Sequence, residues 1–358
     1  MMSSFVLNID ITLGLSKHDK IPKLLFPFNE DYLKFAVAES LERQGIKCIL
    51  ELAISVTRDY PVRIYGISLP ELGYRQRTIF VYPDLFLPDY GFFIEVENFY
   101  SFDRGHVYNY INTFKEMGYP FNGCALTWKC KKLKEELSGL LYFIDPITGK
   151  GRILVTKGEP ITVQMNQDTY PAGKPHVWIQ YELYRWLRTS GYLCSAEIDV
   201  GMSGHVFVPD EIWISLDEGI IMWKPERFTK FSGWSWNHTS SSVPKEVPVR
   251  VDICSYNGSE INCYEVKLRD DFTTEHKAMR VLHQLRMYMT IGVFDKMWLV
   301  GPYELLKKIW EEAPEAFSGE LKKIGILGYK YPERKFEIIK DARELKVKKR
   351  DYIKISIT

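Results

Sequence analysis

Two neighbouring stretches decide how this sequence is interpreted: Arg250-Val251-Asp252, and shortly after it Cys263-Tyr264-Glu265-Val266-Lys267. We predict a strand for each. Because successive side chains of a strand point to opposite faces, Glu265 and Lys267 share one face and Val266 points away from it. Asp252, on the adjacent strand, can meet them there. The pattern therefore predicts two carboxylates and one ammonium group clustered on one face of a sheet.

Such a cluster suggests a chemistry. Two carboxylates beside a backbone carbonyl form an all-oxygen site suited to Mg²⁺ or Mn²⁺. A lysine in the same cluster would orient or help deprotonate an attacking water and offset the charge of a phosphate. The metal would polarise a phosphodiester and lower the pKa of the water.

A second, earlier copy of this organisation is visible in the chain. The segment Gly45-Ile-Lys-Cys-Ile-Leu-Glu51 matches Gly191-Tyr-Leu-Cys-Ser-Ala-Glu197. Each glycine follows an amphipathic stretch, which predicts a helix that ends at the glycine and leads into a strand. For Glu51 and Glu197, a shared salt bridge at a strand end is favoured over a retained site residue.

The correspondence continues through the rest of both copies. The first copy has a predicted strand Tyr82-Pro83-Asp84, then Phe93-Ile94-Glu95-Val96-Glu97, a helix over about 104–117, and further strands near 124–127 and 139–157. The second copy has the same order, with a helix over about 273–290 and strands near 297–300 and 325–340. We predict an α/β (α+β) protein of two tandem domains, each a central mixed sheet flanked by helices in an αβββαβ core. Their bounds are 1–165 and 176–358, joined by a linker at 166–175.

The second copy resembles the PD-(D/E)xK nuclease superfamily, whose fold is that of restriction endonucleases and which includes Holliday-junction resolvases and RecB-type nucleases. The resemblance rests on Asp252, Glu265-Val-Lys267, Glu182 nine residues before a glycine, and Gln284-Leu-Arg-Met-Tyr288. It implies that Asp252, Glu265 and the Val266 carbonyl bind the metal and that Lys267 serves the nucleophile. Glu182 would support a metal or its water. Gln284 and Tyr288 would position the substrate or the metal shell.

The first copy keeps only part of this set. Asp84 and Glu95 retain both metal carboxylates, but Glu97 replaces the lysine and Ala36 replaces the helix glutamate. We interpret this copy as a degenerate site, although some restriction endonucleases do function with Glu at the lysine position. An inserted segment of the second copy, including residues 223–227 and 234–238, alternates tryptophans with basic residues. It predicts either a nucleic-acid grip or a loop that covers the core edge.

The bulk properties limit the function classes. The formal net charge is +1, so affinity for nucleic acid must come from local patches, and the basic C-terminal tail is one candidate. No apolar run reaches the roughly 20 residues that cross a bilayer, no secretory signal is evident, and no P-loop or other nucleotide-binding motif occurs. The scattered cysteines suggest reduced thiols in an intracellular, cytoplasmic protein.

Two hypotheses of different class follow. The first is a Mg²⁺- or Mn²⁺-dependent deoxyribonuclease, endonuclease or exonuclease, with one competent site per chain. Its partners would be DNA, a second copy in a homodimer, and a helicase or ATPase. The second is a non-catalytic nucleic-acid-binding or assembly protein built on a retired nuclease fold. The sequence does not separate DNA from RNA as the substrate.

Overall fold

The structure is a computed structural model. It describes residues 4–11, 20–22, 25, 30–64, 67–97, 121–126, 141–144, 150–156, 174–200, 211–215, 220–223, 249–347, 350 and 352–357. The α-helices in these ranges are α1 (Glu30–Arg43), α2 (Pro175–Thr189), α3 (Glu275–Ile291) and α4 (Tyr303–Glu312). Short 3-10 helices lie at Pro88–Tyr90, Arg269–Phe272, Pro314–Phe317 and Gly319–Lys323.

The strands fall into an earlier and a later group. The earlier strands are β1 (Ser4–Asp10), β2 (Lys20–Pro22), β3 (Ile49–Leu50), β4 (Ile54–Ile64), β5 (Ile67–Val81), β6 (Leu85–Leu87), β7 (Phe92–Glu97), β8 (Phe121–Leu126), β9 (Leu141–Ile144) and β10 (Lys150–Thr156). The later strands are β11 (Leu193–Val200), β12 (Glu211–Ser215), β13 (Ile220–Trp223), β14 (Val249–Tyr256), β15 (Ile261–Val266), β16 (Lys296–Pro302), β17 (Gly325–Lys330), β18 (Lys335–Lys340) and β19 (Tyr352–Ile357).

Two sheets with the same internal order form the body of the molecule. One runs β1-β10-β9-β8-β7-β6-β3 and the other β11-β14-β15-β16-β17-β18. From β3 to β10 and from β11 to β18, the successive pairings are antiparallel, antiparallel, parallel, parallel and antiparallel. The predicted mixed α/β organisation is confirmed, and the two copies share a six-strand topology. The predicted helix over 104–117 lies outside the described residues.

The predicted helix ends are confirmed in both copies. Gly45 and Gly191 adopt φ of 73° and 88°, a region that glycine enters without the steric cost of a side chain. In the first copy the Ile46 amide donates to the Leu41 carbonyl, and in the second the Tyr192 amide donates to the Leu187 carbonyl, each at 3.0 Å. This is a Schellman motif, and it turns each helix into the first strand of its sheet.

The two copies meet through helices α1 and α2. The ring of Tyr32 meets that of Tyr184 edge-on at 5.7 Å, and Phe35 contacts both Tyr181 and Tyr184. The buried apolar side chains of both copies consequently form one continuous cluster. Aromatic pairs of this kind add about 0.5–1.5 kcal/mol each beyond the area they bury.

The C-terminal segment is not the simple basic tail that the sequence suggests. Strand β19 pairs with β12 on one side and with β2, from the first copy, on the other. Several of its basic side chains are engaged within the chain: Lys330 pairs with Glu337, Arg350 with Asp295, and Arg334 with two glutamates. Much of this segment is therefore held by backbone pairing and by ion pairs within the chain.

Candidate metal centre

Asp252, Glu265 and Lys267 come together as the alternation of strand side chains predicts. Asp252 lies within β14, Glu265 near the end of β15, and Lys267 directly after it. The Lys267 ammonium donates to Oε1 of Glu265 at 2.5 Å, and the Val266 amide donates to Oδ2 of Asp252 at 2.6 Å. Both carboxylates are buried, and the adjacent antiparallel and parallel pairings of β15 fix their relative positions.

The carboxylate of Glu265 is the least satisfied group of the cluster. Its Oε2 atom is buried and has no hydrogen-bond partner. Burial and the neighbouring Asp252 carboxylate raise the pKa of Glu265, because both disfavour a second negative charge there. An added cation would relieve both effects.

Helix α2 contributes two more side chains to the cluster, Gln180 and His176. The Gln180 amide donates to Oδ1 of Asp252 at 3.1 Å and to Oε1 of Glu197 at 2.5 Å, while Nε2 of His176 lies 3.4 Å from Oδ2 of Asp252. Burial disfavours the ionised form of Asp252, but His176 and Lys267 outweigh it and lower the pKa of that carboxyl. Burial also opposes protonation of His176, yet Asp252 raises the pKa of His176 to about 8.

The expectation that Glu182 joins this cluster is not met by the geometry. Residues 180 and 182 lie about 200° apart around a helix, so only one of them can face Asp252. Glu182 instead accepts from Arg334 Nε at 3.1 Å and from Arg185 Nη2 at 3.1 Å. Arg334 also donates to Glu42 of α1 at 2.9 Å. Glu182 thus belongs to an ion-pair network between the two copies.

Glu197 and Glu51 lie closer to the candidate sites than the sequence indicated. Each takes a left-handed backbone conformation, with φ of 47° and 44°, which non-glycine residues seldom adopt. Burial and the charge of Asp252 raise the pKa of Glu197 to about 7. Glu51 forms the ion pairs that the preferred interpretation anticipated, with Lys34 and Lys174. Glu197 also has one, with Nε of Arg250 at 3.8 Å, and it faces Gln180 and Asp252 as well. The same strained residue in both copies marks a shared structural element.

Gln284 and Tyr288 lie one turn apart on α3 and reach the cluster from its other side. The Gln284 amide donates to the Tyr288 hydroxyl at 2.6 Å, and that hydroxyl donates to the Arg250 carbonyl at 2.5 Å. The Tyr288 hydroxyl lies near enough to Glu265 to lower the pKa of that carboxyl. The pair therefore borders Glu265 and fixes the strand that carries Asp252.

The first copy repeats this framework with one substitution of charge. The Val96 amide donates to Oδ2 of Asp84 at 2.7 Å, as Val266 does to Asp252, and the Asp84 amide donates to Glu95 at 3.3 Å. Lys34 stands at the same helix position as Gln180. Its ammonium lies 2.6 Å from Glu51 and 3.6 Å from Asp84, the counterparts of Glu197 and Asp252.

Other details of the first copy differ from the sequence-based expectation. Asp84 does not lie on a predicted strand at 82–84 but directly precedes β6. Pro83 explains this, because proline cannot donate to a strand ladder. Burial raises the pKa of Asp84 to about 6 even with Lys34 beside it. The side chain of Glu97 lies outside what the structure describes.

The donor set of the second copy fits a hard divalent cation. Asp252 and Glu265 offer carboxylate oxygens, one of them without a hydrogen-bond partner, and Val266 contributes the carbonyl of the peptide that leads into Lys267. Within the described residues, no group of three or more His, Cys, Asp or Glu is arranged to hold a metal. A centre of two carboxylates and one carbonyl requires only two such side chains.

Gln180, His176 and Lys34 could not be selected from the sequence. Gln180 and His176 are ordinary residues of an amphipathic helix, and the single available signal is their spacing of four on one helix face. Lys34 shows no sign of its burial in the sequence, because lysines on helices are usually solvated.

Comparisons with known proteins add no relative. No protein-family model matches the chain, no curated protein matches it, and no solved structure matches it. Among the described residues, none of the helices is both long and apolar enough to cross a lipid bilayer.

Proposed function

We propose that the second copy is a Mg²⁺- or Mn²⁺-dependent nuclease site that hydrolyses phosphodiester bonds of DNA. The observation that supports it most is the buried Asp252–Glu265 pair with Lys267 in contact, where Glu265 keeps one oxygen without a donor. A buried pair of carboxylates is costly unless a cation compensates it. Its retention at the end of a central strand is better explained by a ligand than by stability.

Each residue then has a distinct role. Asp252, Glu265 and the Val266 carbonyl would hold the cation, which when bound supplies polarisation of the phosphodiester and a more acidic water. Lys267 orients the attacking water and balances phosphate charge. Gln180 and His176 hold Asp252 in place and keep it ionised, as outer partners of metal ligands commonly do.

The first copy is proposed to lack activity for an electrostatic reason. The buried Lys34 ammonium contacts Asp31 at 2.7 Å and Glu51 at 2.6 Å and lies 3.6 Å from Asp84. Of the two carboxylates to which a divalent cation would bind, Asp84 and Glu95, the Lys34 ammonium therefore compensates Asp84. Lys174 also pairs with Glu51, beside that site, at 2.6 Å.

The test is cleavage of labelled single-stranded, duplex, flap and junction DNA with Mg²⁺, Mn²⁺ or EDTA. We expect cutting with either metal, none with EDTA, and a loss of roughly 10²–10⁴-fold in Lys267→Ala. Glu97→Ala, the corresponding position of the first copy, is the matched control and should keep most of the activity. Cleavage that survives Lys267→Ala but not Glu97→Ala would move the site to the first copy. DNA binding without cutting by the wild-type protein would favour the retired-nuclease alternative.

A further inference from the structure

A long hairpin, formed by β4 and β5, emerges between Glu51 and Asp84 of the first copy. The two strands pair only with each other in the described part of the chain. Residues 74–78 of β5 are all exposed, so both faces of the hairpin are open there. A two-stranded ribbon is only marginally stable by itself in water. Stability therefore does not explain why this hairpin is so long.

One face of this ribbon is basic. Arg75 and Arg77 are both exposed and lie two residues apart on β5, so their side chains point to the same face of the ribbon. Two like charges on one face of a strand repel each other. Asp59 is exposed on β4 but lies opposite Gln76, on the other face, and residues 75–81 contain no Asp or Glu to offset the charge of the two arginines. An anionic ligand would do so.

The other face is neutral in its described β5 part. Gln76 and Thr78 are exposed on it, and the hydroxyls of Thr57 and Thr78 lie 3.1 Å apart. The ribbon also carries exposed aromatic side chains on this second face, Tyr74 and Phe80. Its two faces therefore differ in charge, which gives the ribbon a defined orientation toward a polyanion.

The end of the ribbon that follows β5 lies next to α2, the helix that contacts the candidate metal centre. The Lys174 ammonium lies 4.5 Å from the centroid of the Tyr82 ring, which directly follows β5. Lys174 is also the residue that precedes α2, the helix that carries His176 and Gln180. This contact therefore joins the end of the ribbon to the start of α2.

We propose that the β4–β5 ribbon binds duplex DNA, with the face that carries Arg75 and Arg77 on the phosphates. The major groove of B-DNA is about 12 Å wide and admits a two-stranded ribbon. At roughly 3.3 Å per residue, the 11 residues of β4 extend about 36 Å, close to one turn of the duplex. This inference rests on the proposed function for its nucleic-acid substrate, but it concerns binding and not cleavage.

The experiment measures binding of the full chain to a labelled duplex by fluorescence anisotropy in EDTA, across a range of salt concentrations. For Arg75→Ala/Arg77→Ala we expect about tenfold weaker binding or more, and a salt dependence shallower by about two phosphate contacts. Gln76→Ala/Thr78→Ala, on the opposite face, should bind as the wild type does. Arg152→Ala/Lys308→Ala removes the same charge from exposed positions outside the ribbon and should have a smaller effect.

The outcomes separate the two proposals. Weaker binding by the arginine variant, with no cleavage by the wild type, supports the ribbon and contradicts the nuclease. Wild-type cleavage, with binding unchanged in the arginine variant, supports the nuclease and overturns the ribbon. Equal loss in the arginine variant and the outside control, or equal wild-type affinity for single strands, also overturns the assignment to duplex DNA. Thermal melts of each variant ensure that only folded proteins are compared.

Discussion

The two copies bring an equivalent Asp and Glu together in their sheets, but a different helix residue contacts the Asp in each copy. In the second copy the neutral amide of Gln180 bridges Asp252 and Glu197. In the first copy the ammonium of Lys34 lies at that place between Asp84 and Glu51. The Gln180 amide adds no charge to a site that already has Lys267 and His176, whereas Lys34 adds a positive charge at the equivalent helix position of the first copy. We infer that one helix position decides which copy can take up a divalent cation.

The copies also differ in what they insert between the shared Glu and the shared Asp. The first copy inserts the β4–β5 ribbon, and the second inserts a segment that includes β12 and β13. In our proposal the first copy has kept the framework and contributes DNA binding, while the second contributes the chemistry. Duplication thus allows one copy to lose its reaction without losing its place in the shared core.

The largest expected effect comes from neutralising the same glutamate in each copy. Glu265→Gln should slow single-turnover cleavage by more than about 100-fold. Mutating a residue that only hydrogen-bonds to a metal ligand already lowers activity by up to roughly that factor, and Glu265 is proposed to be a ligand itself. Glu95→Gln, its structural counterpart, should change the rate by less than about threefold if the first copy lacks activity. Equal losses in the two variants would contradict the division of labour between the copies.

The second prediction concerns stability in the first copy. Lys34→Ala leaves the Asp31, Glu51 and Asp84 carboxylates close together with one cation fewer, so we expect a loss of about 3–5 kcal/mol in the free energy of unfolding. Urea denaturation measures it, with the exposed Lys308→Ala as the control that should change stability by less than about 0.5 kcal/mol. A small loss would show that Lys34 does not compensate these carboxylates.

The fold was more accessible from the sequence than the details of the site. The glycines after α1 and α2, and the alternation at Glu265 and Lys267, are local signals that tertiary packing does not override. Glu182 was placed in the site by its spacing from Gly191, but spacing along a chain does not specify which way a helix faces. In the folded protein Glu182 pairs with Arg334, which lies far away in sequence, and no local pattern indicates that contact.

The smallest expected effect is the sharpest test of the comparison, because the variant introduces the lysine of the first copy at the equivalent position of the second. Gln180→Lys would put an ammonium between Glu197 and Asp252, as Lys34 does between Glu51 and Asp84. We expect Mn²⁺ affinity, measured by titration calorimetry, to fall about tenfold, which corresponds to about 1.4 kcal/mol. Gln180→Met has a similar size and no charge, so it reports the loss of the amide hydrogen bonds alone. If Met weakened Mn²⁺ binding as much as Lys does, the amide would matter through its hydrogen bonds, and charge at this position would not distinguish the two copies.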